Sequence, residues 1–76
     1  MYEVVGYQHK ELKFQDGNSC AGFYLFLSEK REGVNGVATE RVFCSDKKIG
    51  SYAPRIGDHV NVYYNRFGKV DSVLKG

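Results

Sequence analysis

Short runs of alternating residues, divided by turns, most constrain how this chain can fold. The segment NVYYNRFGKV, residues 61–70, alternates between apolar and polar positions, breaks at Gly68 and then resumes. β-Branched and aromatic residues dominate the apolar set, and no apolar stripe with helical spacing continues for ten residues or more. This pattern is typical of strands joined by turns. It predicts a small all-β protein.

Five strands can be placed within the 76 residues, which form a single domain, 1–76. Gly6 interrupts the first strand and indicates a β-bulge there. Asp16–Asn18, which reads DGN, indicates a tight hairpin, because glycine readily adopts positive φ angles. The five predicted strands cover Tyr2–Phe14, Ser19–Ser28, Val37–Ser45, His59–Tyr64 and Lys69–Leu74.

Two hairpins, a middle strand and the long connection 45–58 favour a small five-stranded barrel. Closure of the sheet would leave no exposed edge strand. A long, bent first strand favours an OB-fold-like barrel, with an SH3-like barrel as the alternative. The connection contains Pro54 and two glycines, so we expect at most one helical turn between strands three and four.

Chemistry at a metal or catalytic centre is not indicated. Cys20, Cys44, His9 and His59 show no CxxC or HxxxH spacing, and we predict no metal, no cofactor and no enzymatic activity. We expect the cysteines to act as small apolar residues, since a cross-strand disulfide would need their Cα atoms within about 7 Å. The chain has neither a long apolar run nor a signal-peptide pattern, so a cytoplasmic protein without a membrane segment is expected.

Positive charge is concentrated in the C-terminal part of the chain. The net charge is only +2, but six lysines and arginines stand against two aspartates from Lys47 onward. The first 46 residues carry five cations and seven anions. The C-terminal half could therefore present one positive face, which favours a polyanionic partner.

Several aromatic side chains are expected to point away from the core. Alternation along strand two places Phe23, Leu25 and Leu27 on one face and places Tyr24 and Phe26 on the other. Tyr24 and Phe26 could form a dimer interface or a platform on which bases stack, and both alternatives stay open.

On strand three, Arg41 and Phe43 are predicted to face outward. The Phe43 ring could stack on a base, and the Arg41 guanidinium could contact a phosphate. A shift of the register by one residue would bury Phe43 and expose Glu40. On strand four, the alternation predicts Tyr64 in the core and Tyr63 outside it. The predicted nucleic-acid-binding residues are Arg41, Phe43, Tyr52, Arg55, Tyr63, Arg66, Phe67 and Lys69.

The C-terminal third, YAPRIGDHVNVYYNRFGKVDSVLKG, places a Tyr-Ala-Pro segment before a strand, an aromatic-glycine turn and a valine-rich strand. It resembles the small phage and plasmid single-stranded-DNA-binding proteins of the filamentous-phage helix-destabilising type. The resemblance implies an OB-fold and a homodimer that coats single-stranded DNA in the replication of a phage or mobile element. It further implies that Tyr52, Arg55, Arg66 and Phe67 take part in binding.

Two functions are therefore expected. The first is sequence-tolerant binding of single-stranded DNA by a basic, aromatic face of a homodimer, with RNA left open as the ligand. The alternative is a protein-interaction or structural accessory module without a nucleic-acid role. In that case Tyr24, Phe26 and Phe67 would be anchors in a protein interface.

Overall fold

The computed structural model describes residues 1–76, and strands account for most of the chain. The elements are β1 (Tyr2–Lys13), β2 (Ser19–Glu29), β3 (Ala38–Ser45), α1 (Asp46–Ile49), β4 (His59–Tyr64) and β5 (Val70–Lys75). The predicted all-β class is confirmed, and the strand ends agree with the expected ones to within one residue. The four-residue helix α1 is the single turn that was expected in the connection, and no helix here could cross a membrane.

The strands form one antiparallel sheet in the order β3-β2-β1-β4-β5. β1 and β2 form a long hairpin whose turn contains Gly17 at φ 86°. The Asp16 carboxylate accepts hydrogen bonds from the backbone and side-chain nitrogens of Asn18, which lower the pKa of Asp16. The DGN segment therefore forms the predicted turn by the local hydrogen bonding that Asp supports.

The sheet bends at the predicted bulge. The β1–β2 register shifts between Val4 and Gly6, and the ring of Phe26 lies over Gly6. A Cβ at position 6 would come within 3.4 Å of that ring, so glycine lets the side chain lie close to the strand. β4 pairs with β1 only at Tyr2 and Glu3, on the N-terminal side of this bulge, whereas β2 pairs with β1 on both sides of it.

Closure into a barrel was predicted, and that prediction is wrong. β3 and β5 approach each other, but no backbone ladder joins them, so both remain edges of an open sheet. β1 pairs with β2 along nearly its whole length and with β4 only at Tyr2 and Glu3. The β4–β5 hairpin is therefore attached at a short junction. Side-chain contacts, rather than backbone pairs, cross the gap between β3 and β5.

The far half of the β1–β2 hairpin extends beyond the core. The radius of gyration is 13.2 Å and the extents are 43 × 24 × 22 Å, whereas a compact chain of this length would have a radius of roughly 11 Å. Phe14 lies exposed near the end of this extension. The chain is consequently elongated, with its core at the end where β1 meets β4.

The core consists of eight buried side chains, contributed by all five strands and by α1: Val4, Leu25, Leu27, Val42, Cys44, Ile49, Val60 and Val73. Ser45 caps α1, because its hydroxyl accepts a hydrogen bond from the backbone nitrogen of Lys48. This cap directs Ile49 into the core. Both cysteines are free, and burial raises the pKa of the Cys44 thiol.

Candidate nucleic-acid interface

An open groove of about 600 Å³ lies between β3 and the β4–β5 hairpin. It exists because the two edge strands face each other without pairing. Two contacts cross the gap at its margins. The Lys48 ammonium lies 2.9 Å from the Asp71 carboxylate, and the Tyr64 hydroxyl donates to the Glu40 carboxylate at 3.3 Å. Three of the predicted binding residues, Arg41, Phe43 and Lys69, line this groove.

The outer face of β2 and β3 presents aromatic rings. Tyr24 lies directly opposite Phe43 in the β2–β3 ladder, and their ring centres are 5.1 Å apart at an interplanar angle of 59°. The Arg41 guanidinium lies 5.0 Å from the centre of the Tyr24 ring. Residues opposite each other in a ladder share a face, so the predicted outward direction of Phe43 and Arg41 is confirmed. The strand pairing therefore rules out the alternative register, and Glu40 is exposed although it lies opposite the buried Leu27, because β3 is an edge strand.

Phe43 is half-buried because its ring passes close to the backbone of β2. A Cβ at Gly22 would lie 2.7 Å from this ring and 2.5 Å from the Cys44 carbonyl oxygen. Gly22 therefore lets β2 and β3 approach and lets the Phe43 ring lie flat beside the strand. The ring edge that remains accessible borders the groove.

The β4–β5 turn forms the opposite wall of the groove. The Asn65 side-chain oxygen accepts hydrogen bonds from the backbone nitrogens of Phe67 and Lys69, at 2.9 and 3.1 Å. Gly68 completes the turn at φ 76°. The ring of Phe67 is 72% exposed, and the Arg66 guanidinium lies 5.0 Å from its centre. The turn thus holds a ring and a cation next to the groove wall.

The cations of the groove differ in whether an acidic side chain already forms an ion pair with them. Lys48 is paired with Asp71, whereas Arg41 and Lys69 form no ion pair. An unpaired surface cation can exchange its counterions for the phosphates of a ligand at little cost, and a paired one must first give up its partner. Arg41 and Lys69 are consequently the groove's most available phosphate contacts.

Tyr64 was predicted to lie in the core, and that prediction is wrong. The β4–β5 register shifts between Tyr63 and Tyr64, which breaks the alternation of the strand. Tyr64 is 45% exposed and lines the groove, while Tyr63, at 49%, lies outside the core as expected. Strict alternation would place these adjacent tyrosines on opposite faces, so the exposure of both follows from the register shift, for which the sequence carries no signal.

Glu40 links the groove to β1. Its Oε2 atom accepts a hydrogen bond from the Tyr2 hydroxyl at 2.7 Å, and its Oε1 atom accepts the one from Tyr64. The hydrogen bond to Glu40, with burial, raises the pKa of Tyr2 to about 12. Burial and the Glu40 charge also raise the pKa of Tyr64. Neither Glu40 nor Lys48 was predicted as a groove residue, because nothing local in the sequence links β3, α1 and β4.

Three predicted binding residues lie away from the groove. Tyr52 is half-buried against the core and donates a hydrogen bond to the Asp58 carboxylate at 2.8 Å. Burial and this hydrogen bond raise the pKa of Tyr52 to about 12. Arg55 is exposed in the connection before β4, and Tyr63 is exposed on β4. Their roles in binding remain predictions, and the structure gives Tyr52 a packing role in addition.

The two residues predicted for a dimer interface have different surroundings. Tyr24 is half-buried between Arg41 and Phe43. Phe26 is 38% exposed and forms a shallow surface with the exposed Val5, which Thr39, Glu40 and Arg41 border. This shallow surface shares Glu40 and Arg41 of β3 with the groove. A dimer through it stays a prediction.

Comparison of the chain with protein-family models, with curated proteins and with solved structures found no match. The resemblance of residues 52–76 to phage single-stranded-DNA-binding proteins therefore remains a prediction.

Proposed function

We propose that this protein binds single-stranded nucleic acid, with DNA as the first candidate, and that it does so without strong sequence preference. The observation that carries this proposal is the arrangement of accessible ring surface and unpaired cations around one open groove. Phe43 and Tyr64 offer ring surface there, while Arg41 and Lys69 offer positive charge. Rings can stack on any base, and cations can contact any phosphate. Such a surface can therefore bind single strands of any nucleotide sequence.

Single strands suit this groove better than duplexes do. The bases of a duplex are already stacked on one another and present only their edges, whereas the bases of a single strand are free to stack on protein rings. The exposed Phe67 ring at the turn tip is suited to such stacking. It buries little surface against its own chain, so a base would gain most of the contact area that the ring offers.

The topology supports an OB-fold-like arrangement. The sheet order β3-β2-β1-β4-β5, with a helix between β3 and β4, suits the partly open five-stranded Greek-key barrel of that fold. OB-folds bind oligonucleotides on the face of strands two and three and on the loops between strands one and two and strands four and five. In this chain the first of these surfaces carries Tyr24 and Phe43, and the second loop carries Arg66 and Phe67.

We also propose that the chain forms a homodimer. Val5 and Phe26 form the apolar part of an accessible surface, and Glu40 and Arg41 at its border also line the groove. Only 38% of Phe26 is still exposed, so its complete burial in such an interface would contribute roughly 0.5–1 kcal/mol. Sedimentation of the purified chain at several concentrations tests the assembly, and a monomer at every concentration would contradict it.

Binding to a fluorescent oligothymidylate tests the proposed function. A strand of about 12 nucleotides lies within the range of roughly 4–16 that one OB-type fold covers. We expect binding at low salt that weakens steeply between about 50 and about 200 mM salt, because neutralised phosphates release counterions. Absence of binding at the lower salt concentration would contradict the proposal. Parallel titrations with oligouridylate and with a duplex separate DNA from RNA and single strands from double strands.

A further inference from the structure

Glu40 is the one carboxylate that lines a groove otherwise equipped with cations and rings. A negative charge in this position repels the phosphates that Arg41 and Lys69 would attract. The carboxylate is also held in place from two sides, by the hydroxyls of Tyr2 and Tyr64. The Glu40 carboxylate thus opposes the binding of phosphates, yet two hydrogen bonds hold it in position. This combination indicates that Glu40 makes a specific contact with the ligand.

The carboxylate keeps unused hydrogen-bonding capacity. An ionised carboxylate offers about four acceptor positions on two oxygens. In Glu40 each oxygen accepts one hydrogen bond from one tyrosine, which leaves about one position free on each. The side chain is exposed, so a ligand in the groove can reach these positions. Glu40 therefore presents two parallel acceptors with a restricted orientation.

Two parallel acceptors match two adjacent donors, and among the bases this pattern is specific. Only guanine has neighbouring N–H donors, N1–H and N2–H2, on its Watson–Crick edge. Adenine and cytosine place an amino donor beside an acceptor nitrogen, and thymine places its N3–H between two carbonyl oxygens. Unstacked bases of single strands are read on this edge. A carboxylate therefore favours guanine and disfavours thymine.

We propose that Glu40 forms a guanine-preferring subsite in the groove, which adds a preference at one nucleotide to otherwise sequence-tolerant binding. This inference rests on the proposed function. The Tyr64 ring lies next to the carboxylate and supplies a stacking surface for the same base. Arg41 follows Glu40 in the strand, so its side chain points to the other face of the sheet and is free for the phosphate.

The subsite is tested with oligothymidylates of one length that carry a single central dG, inosine, dA or dT. Inosine keeps N1–H and lacks the N2 amino group, so it removes one of the two proposed hydrogen bonds. We expect the strand with dG to bind roughly tenfold more tightly than the strand with inosine, because a hydrogen bond to a charged group is lost. One guanine per strand avoids association between guanines.

The variant Glu40→Gln provides the second measurement. Its amide has one acceptor and one donor, so the preference for dG over inosine should disappear. Affinity for the all-thymidine strand should rise, because the repulsion between the carboxylate and the phosphates is gone. Glu11→Gln is the matched control, since Glu11 is exposed on β1 and does not line the groove. It should leave both quantities unchanged, and thermal unfolding of each variant checks that the fold is retained.

The outcomes separate this inference from the proposed function. Equal affinity for dG and inosine, or a preference that survives in Glu40→Gln, overturns the subsite while binding to oligothymidylate persists. Loss of all binding to oligothymidylate at low salt overturns the proposed function, and the subsite with it. A preference for dG that depends on Glu40 and is unaffected by Glu11→Gln supports the subsite.

Discussion

The Arg66 guanidinium lies 5.0 Å from the centre of the Phe67 ring, at the tip of the β4–β5 turn. A cation over a ring in an exposed position contributes roughly 0.5–1 kcal/mol, which favours one arrangement of both side chains. The hydrogen bonds from the Phe67 and Lys69 nitrogens to Asn65 restrict the backbone of the same turn. A base that stacks on Phe67 therefore meets a partly ordered surface, with a phosphate contact beside it.

Removal of the Phe67 ring should weaken nucleic-acid binding while the fold is retained. We expect Phe67→Ala to cost about 1–3 kcal/mol in affinity for oligothymidylate, the usual range for one base stacked on one ring. Fluorescence anisotropy measures this change. Tyr7→Ala is the matched control, because Tyr7 is also an exposed ring but lies on β1 and does not line the groove. Equal losses in both variants, or a changed oligomeric state in Phe67→Ala alone, would favour the protein-interaction alternative.

Neutralisation of a groove cation should reduce the dependence of binding on salt. We expect Arg41→Gln and Lys69→Gln each to lower the slope of log affinity against log salt by about 1, because each removes one phosphate contact. Binding to oligothymidylate is titrated at a series of salt concentrations. Lys13→Gln, on the far part of β1, should leave the slope unchanged. An equal effect of Lys13→Gln would mean that the protein attracts the strand by its net charge alone.

A side chain at position 22 should destabilise the fold and disturb the groove. The Cβ of Gly22→Ala would lie 2.5 Å from the Cys44 carbonyl oxygen and 2.7 Å from the Phe43 ring, so β2 and β3 would have to separate. We expect a loss of about 1–3 kcal/mol in the free energy of unfolding, as for other overpacked sites. Urea denaturation measures it, with Ser19→Ala at an exposed site of β2 as the control. Unchanged stability would contradict the close approach of the two strands.

The Tyr52 hydroxyl should make stability depend on pH in the alkaline range. Its pKa is raised from 10.0 to about 12 by burial and by the hydrogen bond to Asp58. Below pH 10 the hydroxyl is protonated in both states, so its contribution to stability is complete. Between pH 10 and about pH 12 the unfolded chain ionises first, and this contribution is progressively lost.

Comparison of the wild type with Tyr52→Phe isolates this effect from the other groups that titrate at high pH. Below pH 10 the wild type should be more stable, because it keeps the hydrogen bond to Asp58. The difference in the free energy of unfolding should then shrink as the pH approaches 12. Denaturation in urea at a series of pH values measures both curves. A difference that stays constant across this range would show that the Tyr52 pKa is not raised.

Features that depend on near neighbours could be predicted from the sequence. Alternation placed the strands and assigned Leu25 and Leu27 to the core, with Phe43 and Arg41 on the outer face. The Gly6 bulge was predicted for the same reason, because a residue without a side chain marks an irregular strand position. Successive side chains of a strand point to opposite faces of the sheet, so the face on which a side chain lies can be assigned once the strand itself is predicted.

The candidate site was predicted only in part. Arg41, Phe43 and Lys69 meet in the groove as their types suggested, but Glu40, Lys48 and Tyr64 were missed. Tyr52 was predicted to bind a ligand, and its packing against the core beside Asp58 was not predicted. A residue in a connection has no period that indicates its direction, so its placement depends on the space that the rest of the chain leaves.

The sequence by itself determined the all-β class, the positions of the strands and the faces of β2 and β3, because each follows from interactions between residues close along the chain. Only the tertiary structure decided that β3 and β5 face each other without pairing and that Glu40 meets Tyr64. Those residues are 24 positions apart. Their contact requires the pairings of β3 with β2, of β2 with β1 and of β1 with β4, and pairings between distant strands leave no local pattern in the sequence.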